Sequence, residues 1–288
     1  MVSKFHLQAI ANVVEYQAQN HGDFGLEGDG RPSGTVPILK DTNKKSDITS
    51  ISLSDYTRRE HCHAMIRTKA NSAKKFMGTR AAMTIHKPKV QANQWSSGRI
   101  KLINGGDSIE AGWMAGEKGC INTECPGYVE VNEDFPLGET LDYSIIGKAP
   151  WVIYLIIEKQ HDGNWGLSVV GTNGTVISLG YWPKTLFSTM VEAASQIEWG
   201  GEIYNPGASK PQPEMGSGKK ATYTSHTSAY IFKVEVTNEN YHIVQPYDIE
   251  KEADCKHYYT VFDKGNLIGA IGHLFFYGGT GWSFCPFC

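Results

Sequence analysis

Apolar and polar positions change over in short runs along most of the chain. Trp151–Ile157 is a β-branched and aromatic run followed by Asp162-Gly163. Trp165–Val170 comes next, then Asn173-Gly174, then Val176–Tyr181. Asp-Gly and Asn-Gly between apolar runs are strong hairpin signals, so this stretch predicts a three-stranded meander. Tyr230–Val236 sets Tyr, Phe and Val on one side against Ile, Lys and Glu on the other, as a strand does, and Leu274–Tyr277 reads as a further strand. After Pro183, the residues Leu186, Phe187, Met190, Val191 and Ala194 recur at helical spacing. Pro183 stands where a missing N–H costs little, so one short helix is predicted, ending before Trp199-Gly200-Gly201-Glu202. The pattern from about Ala64 onward is therefore all-β: an antiparallel two-sheet β-sandwich with one short helix. Asn205–Lys220 is a loop long enough to suspect of function.

Residues 1–58 are different in kind. Asn20–Ser33 is rich in Gly, Asp and Pro, Gly34–Leu39 is a short extended segment, and Asp41–Asp47 is polar. The division expected is an N-terminal arm over 1–58 and a β-sandwich domain over 59–288. Within the arm, Phe5, Ile10, Val13 and Val14 mark one face of a short amphipathic helix. His6, Gln8 and Asn12 interrupt the apolar stretch that a secretory signal needs, so the expectation is a protein that is not secreted or a signal outside this chain. With 288 residues and 40% hydrophobic residues the chain can build a full core. Its 31 glycines follow no period of three, which rules out a collagen-like chain. The net charge is −3, and the basic pairs (Lys44-Lys45, Arg58-Arg59, Lys74-Lys75, Lys219-Lys220) are scattered, so no nucleic-acid partner is expected. Trp151–Ile157 is the longest purely apolar run, far short of the ~20 residues of a membrane-spanning helix, and no membrane partner is expected.

Two acids stand out by context. Glu110 lies in Ser108–Trp113 (SIEAGW) and Glu202 in Trp199–Ile203 (WGGEI), each among apolar neighbours and glycines. A carboxyl in such surroundings is desolvated, which raises its pKa, and paired glycines allow a close approach of backbone or substrate. The plainer alternative is a pair of edge-strand surface charges. His61-Cys62-His63 would put both histidines on one strand face, as two metal ligands could be, or simply as two polar side chains. No third ligand can be assigned, so no metal is expected; Cys62 beside a histidine is a weak candidate nucleophile. No GxSxG, HExxH or phosphate-loop motif is present, and Gly278-Gly279-Thr280-Gly281 reads as a turn. Six cysteines (Cys62, Cys120, Cys125, Cys255, Cys285, Cys288) allow 15 complete pairings.

Several motifs, taken in order, resemble the neprosin family of glutamic prolyl endopeptidases. They are Gly34–Ile38 (GTVPI), Gly78–Val90 (GTRAAMTIHKPKV), Ser108–Trp113 (SIEAGW), Gly119–Glu130 (GCINTECPGYVE), Gly180–Pro183 (GYWP), Trp199–Glu202 (WGGE), Met215–Gly218 (MGSG), Tyr277–Gly279 and Cys285-Pro286. The segment between Trp113 and Cys120 is shorter than is usual in that family. The resemblance implies a β-sandwich peptidase that favours acid pH, cuts after proline and needs no cofactor. It further implies a monomer acting on proline-containing peptides or proteins, in a secreted or an acidic extracellular or vacuolar setting, with residues 1–58 as an activation segment. It carries the catalytic roles onto Glu110 and Glu202, and disulfides onto Cys120–Cys125 and Cys255–Cys285, leaving Cys62 and Cys288 without partners. A proline ahead of the scissile bond needs a flat apolar slot, for which Trp113, Trp199 and Tyr204 are the candidates. The two glutamates are 92 positions apart, so they must meet across a sheet, and two close carboxyls would share a proton. Two other readings are a catalytically silent sandwich that binds cell-wall sugar or protein, and a glycosidase using the same acids.

Overall fold

A computed structural model describes residues 60–71, 73–116, 127–138, 140–206, 211–222, 224–225 and 227–281. The expected arm, Cys120, Cys125 and Cys285 lie outside the described residues. Two antiparallel sheets face each other. The smaller holds β1 (His61–Thr68), β3 (Trp95–Asn104), β4 (Asp107–Gly116), β9 (Gln196–Tyr204) and β12 (Ile249–Ala253), in the order β12-β1-β9-β3-β4. The larger holds β2 (Phe76–Thr84), β5 (Val129–Glu130), β6 (Val152–Lys159), β7 (Trp165–Val170), β8 (Val176–Trp182), β10 (Ala229–Asn238), β13 (Tyr259–Leu267) and β14 (Gly272–Gly279). Its order is β13-β14-β10-β2-β6-β7-β8-β5, with β11 (Ile243–Val244) beside β10. The expected sandwich is present, and β6-β7-β8 is the meander signalled by the two Xaa-Gly turns. No helix among the described residues is long and apolar enough to cross a membrane.

The core lies between the sheets. Trp113, Trp165, Trp182, Trp199, Tyr259 and Tyr277 are its largest fully buried side chains. A buried indole N–H needs an acceptor. Trp113 donates to Thr84 O at 2.9 Å and Trp199 to Thr79 Oγ1 at 3.0 Å, so strands of the smaller sheet are tied to β2 opposite.

Two expectations about elements are corrected. The helix after Pro183 is a single 3-10 turn, Lys184–Leu186, followed by irregular backbone. Phe187, Met190 and Ala194 do bury, as the spacing suggested, but a carboxylate holds them rather than helical hydrogen bonds. Asp107 Oδ2 accepts from the backbone N–H groups of Ser188 (2.6 Å), Thr189 (2.5 Å) and Met190 (2.9 Å). In β10, Val234 and Val236 join Ile231 in the core, because a bulge falls between Ile231 and Val234 and Lys233 adopts a φ of 51°. One extra residue reverses the alternation beyond it.

The disulfide expectation is corrected as well. Cys255 is bonded to Cys62, not to Cys285. The β1–β12 register pairs Ala64 with Ala253. Continued by two residues, that register sets Cys62 opposite Cys255, and their Cα atoms are 5.6 Å apart, inside the usual disulfide range.

Candidate active site

The smaller sheet has one face on the core and one turned away from it, and side-chain alternation sorts its residues. Ile66, Ile100, Ile109, Trp113, Ile197, Trp199 and Ile203 face the core and are fully buried or nearly so. The other face carries charge, laid out in rows by the strand register. One row runs His63, Glu202, Ser97 and Met114 across β1, β9, β3 and β4. The next runs Met65, Gly200, Arg99 and Gly112. The third runs Arg67, Glu198, Lys101 and Glu110.

Arg99 therefore sits between two glycines, with glutamates at diagonal positions. A side chain at Gly200 is excluded on two counts: its φ is +151°, and a Cβ there would lie 2.5 Å from Ala64 O. The close approach that the paired glycines suggested is made by β1 itself. With no side chain on either flank, the guanidinium spreads across the sheet. Arg99 Nε donates to Glu202 Oε2 at 2.8 Å and lies 3.4 Å from Glu110 Oε2, while its Nη1 reaches Glu198 Oε2 at 3.1 Å. Two carboxylates remote in sequence thus converge on one nitrogen. Lys101 Nζ approaches Glu110 Oε2 at 3.9 Å from the other side.

Glu202 has basic side chains around both oxygens. His61 Nδ1 lies 2.9 Å and His63 Nε2 3.4 Å from Oε1. Burial alone would raise its pKa, but Arg99, His61 and His63 outweigh burial and hold the carboxyl well below the usual carboxylate range. Burial likewise pulls His63 down, yet its bonds to Asp254 and Glu202 prevail and push it up to about 9. Arg99 is raised further still: burial opposes its charge, and three glutamates overcome the opposition. Solvent reaches the cluster from the histidine side. The side chains of His61 and His63 are 29% and 23% exposed, against 1% for Glu110 and 8% for Glu202. Beside them an aromatic group stands on the same face. Tyr204 stacks on Trp95 with ring centroids 6.0 Å apart, and His61 leans on both rings.

Among the residues expected from sequence, Glu110 and Glu202 occupy one face of one sheet, and Tyr204 shares that face. Trp113 and Trp199 do not. Each is three positions from its glutamate along a strand, so it points into the core, where 1% and 0% of its surface is exposed; neither lines a slot at the carboxyls. His61 and His63 do share a face, and both serve Glu202. Among the described residues the only His, Cys, Asp or Glu group close enough to share an ion is Cys62, Asp254 and Cys255, and its two sulfurs are bonded to each other. Arg99, Glu198, Lys101, Trp95 and Asp254 were not singled out beforehand. The signal for the cations is the alternation in Trp95–Asn104, where Ser97, Arg99 and Lys101 interleave with Gly98, Ile100 and Leu102.

The sequence matches the family model described as Neprosin over residues 113–280, a span that includes Glu202 and begins just after Glu110. Among solved structures, a crystal structure of scytalido-glutamic peptidase with a transition-state-analogue inhibitor is 11% identical. The match covers 76% of this chain and 97% of that one, with a TM-score of 0.41. A second structure of that peptidase, with a peptide-based transition-state analogue, is also 11% identical over 77% and 98% of the two chains, with a TM-score of 0.40.

Proposed function

The chain belongs to the neprosin family, and on that premise we propose that it is a glutamic-type peptidase that hydrolyses peptide bonds after proline at acid pH, with Glu110 and Glu202 as its catalytic pair. The observation that carries the reading is the convergence of the two carboxylates on Arg99 Nε.

Glu202, held ionised by its cations, suits the general base: it stays deprotonated in acid, where an ordinary carboxylate would begin to protonate. Water at its Oε2 loses a proton to it and attacks the carbonyl. Glu110, when protonated, donates to the carbonyl oxygen or the leaving nitrogen. Arg99 stands where negative charge collects and offsets it. In this site the repulsion between the two carboxyls is relieved by a guanidinium as well as by a proton. Activity falls as pH rises, because the acid partner must keep its proton. The part-exposed ring of Tyr204, backed by the buried Trp95 beside Glu202, is the surface we assign to the proline ring. Residues 1–58 as an activation segment, action as a monomer, and a secreted or acidic extracellular setting belong to the same proposal. The sum of 2.8 and 3.4 Å caps the oxygen separation below the ~6.5–9.5 Å of inverting glycosidases, which disfavours that sugar chemistry.

The test is mass-spectrometric mapping of the products from a peptide series with proline or alanine ahead of one bond, incubated from pH 3 to 8. Cleavage after proline, strongest in acid and weakened mainly in KM by Tyr204→Ala, is expected. Cleavage indifferent to proline would remove the specificity, and no cleavage of any peptide would remove the activity.

A further inference from the structure

The strand register that makes the glutamate site also builds a second line of groups behind Glu202. His63 is the register partner of Glu202, and Asp254 follows β12 at the position that continues the β1–β12 ladder opposite His63. Asp254 grips His63 twice: Oδ1 accepts the His63 backbone N–H at 2.7 Å and Oδ2 faces Nδ1 at 3.0 Å. In return, Asp254 N donates to His63 O at 3.3 Å. The other ring nitrogen, Nε2, faces Glu202 Oε1. The disulfide Cys62–Cys255 joins the residue before His63 to the residue after Asp254, so the two strands cannot separate at this point.

We propose that Asp254 and His63 are positioning residues for Glu202, stapled in place by the Cys62–Cys255 disulfide. The inference rests on the reading of Glu202 as the general base and extends it to groups that do not touch the substrate. An imidazole donates on both sides only as imidazolium, and here both sides face carboxylates. Asp254 therefore fixes the ring and its charge, and the ring fixes Oε1. That leaves Oε2, beside Arg99 and Glu110, as the oxygen turned to the reaction. The other titratable groups around this line are His61 on β1, Arg99 and Lys101 on β3, Glu110 on β4, Glu198 on β9 and Glu252 on β12. Of these, His61 and Arg99 touch Glu202 directly, so His63 is one of three basic side chains that support it, and its loss should shift the titration of Glu202 without abolishing its ionisation.

The experiment follows Glu202 itself. The full chain is labelled with ¹³C-carboxyl glutamate, and Glu202→Gln identifies the resonance. Its protonation midpoint is then compared in wild type, His63→Gln and Asp254→Asn. An upward move of about 1 unit or more is expected in His63→Gln, with a smaller move in the same direction in Asp254→Asn. Hydrolysis should show its acid limb displaced to higher pH and kcat reduced with KM nearly unchanged. A merely structural role would lower the melting temperature and leave both limbs in place. An unmoved midpoint in either folded variant overturns the proposal. Should both variants fail to fold, ¹⁵N spectra of wild type decide: His63 must stay doubly protonated well above pH 6.5, and loss of its proton near that value overturns the proposal. The carboxyl shift is read without substrate. A shift without hydrolysis sinks the peptidase reading alone, and hydrolysis without a shift sinks this one alone.

Discussion

Arg99 is buried among three glutamates because its register partners on both neighbouring strands are glycines. An unpaired guanidinium in that position would carry a desolvation penalty of several kcal/mol, so the cluster is interdependent, and its charges set how stability depends on pH. His63 has a pKa raised to about 9. A raised value means that the folded state binds the proton more tightly than the unfolded chain. The contribution is complete below about pH 6.5 and is lost as pH rises through about 9. Glu202 has the opposite sign: its pKa is depressed, so its contribution is present above the ordinary carboxylate range and lost as pH falls through the folded value. Urea unfolding at pH 6 and pH 9.5 should therefore show a stability loss in wild type that is largely absent in His63→Gln; equal losses in the two proteins would contradict the assignment. Parity was the residue-scale information within reach of the sequence. Tyr204 is two positions from Glu202 and shares its face, whereas Trp113 and Trp199 are three from theirs and cannot.

At the scale of elements, strands and hairpins were legible because Asp162-Gly163 and Asn173-Gly174 carry their own turn chemistry. The segment after Pro183 was not, because helical spacing of apolar residues arises whenever a chain must bury every third or fourth side chain, helix or not. What fixes this segment is Asp107, from the start of β4, whose one oxygen gathers three backbone N–H groups. Burial opposes its charge, and those bonds win, keeping its pKa low. Asp107→Asn removes the charge and should cost about 1–3 kcal/mol, read as a lower urea midpoint with an unchanged slope. A midpoint equal to wild type would show that the loop is held by the burial of Phe187 and Met190 alone. The bulge at Lys233 was similarly out of reach, since a single unpaired residue leaves no mark on composition.

Across the whole molecule, the fold and the placement of the two glutamates on one sheet face were within reach because alternation and the glutamate motifs are local signals. The supports of the acids were not: Asp254, Cys255 and Arg99 reach Glu202 only through the order β12-β1-β9-β3-β4, which no short segment encodes. The same order explains why Cys255 bonds to Cys62, and it explains how residues 92 apart come to lie beside one guanidinium. The claim that they act as one unit is tested most directly by comparing kcat for a proline-containing peptide at acid pH in Glu110→Gln, Glu202→Gln and the double variant. Groups working in one step lose activity together, so each single change should lower kcat by about 10²-fold or more and the double change should add little to the larger loss. Losses that simply multiply, or full activity in either single variant, would contradict a shared catalytic pair.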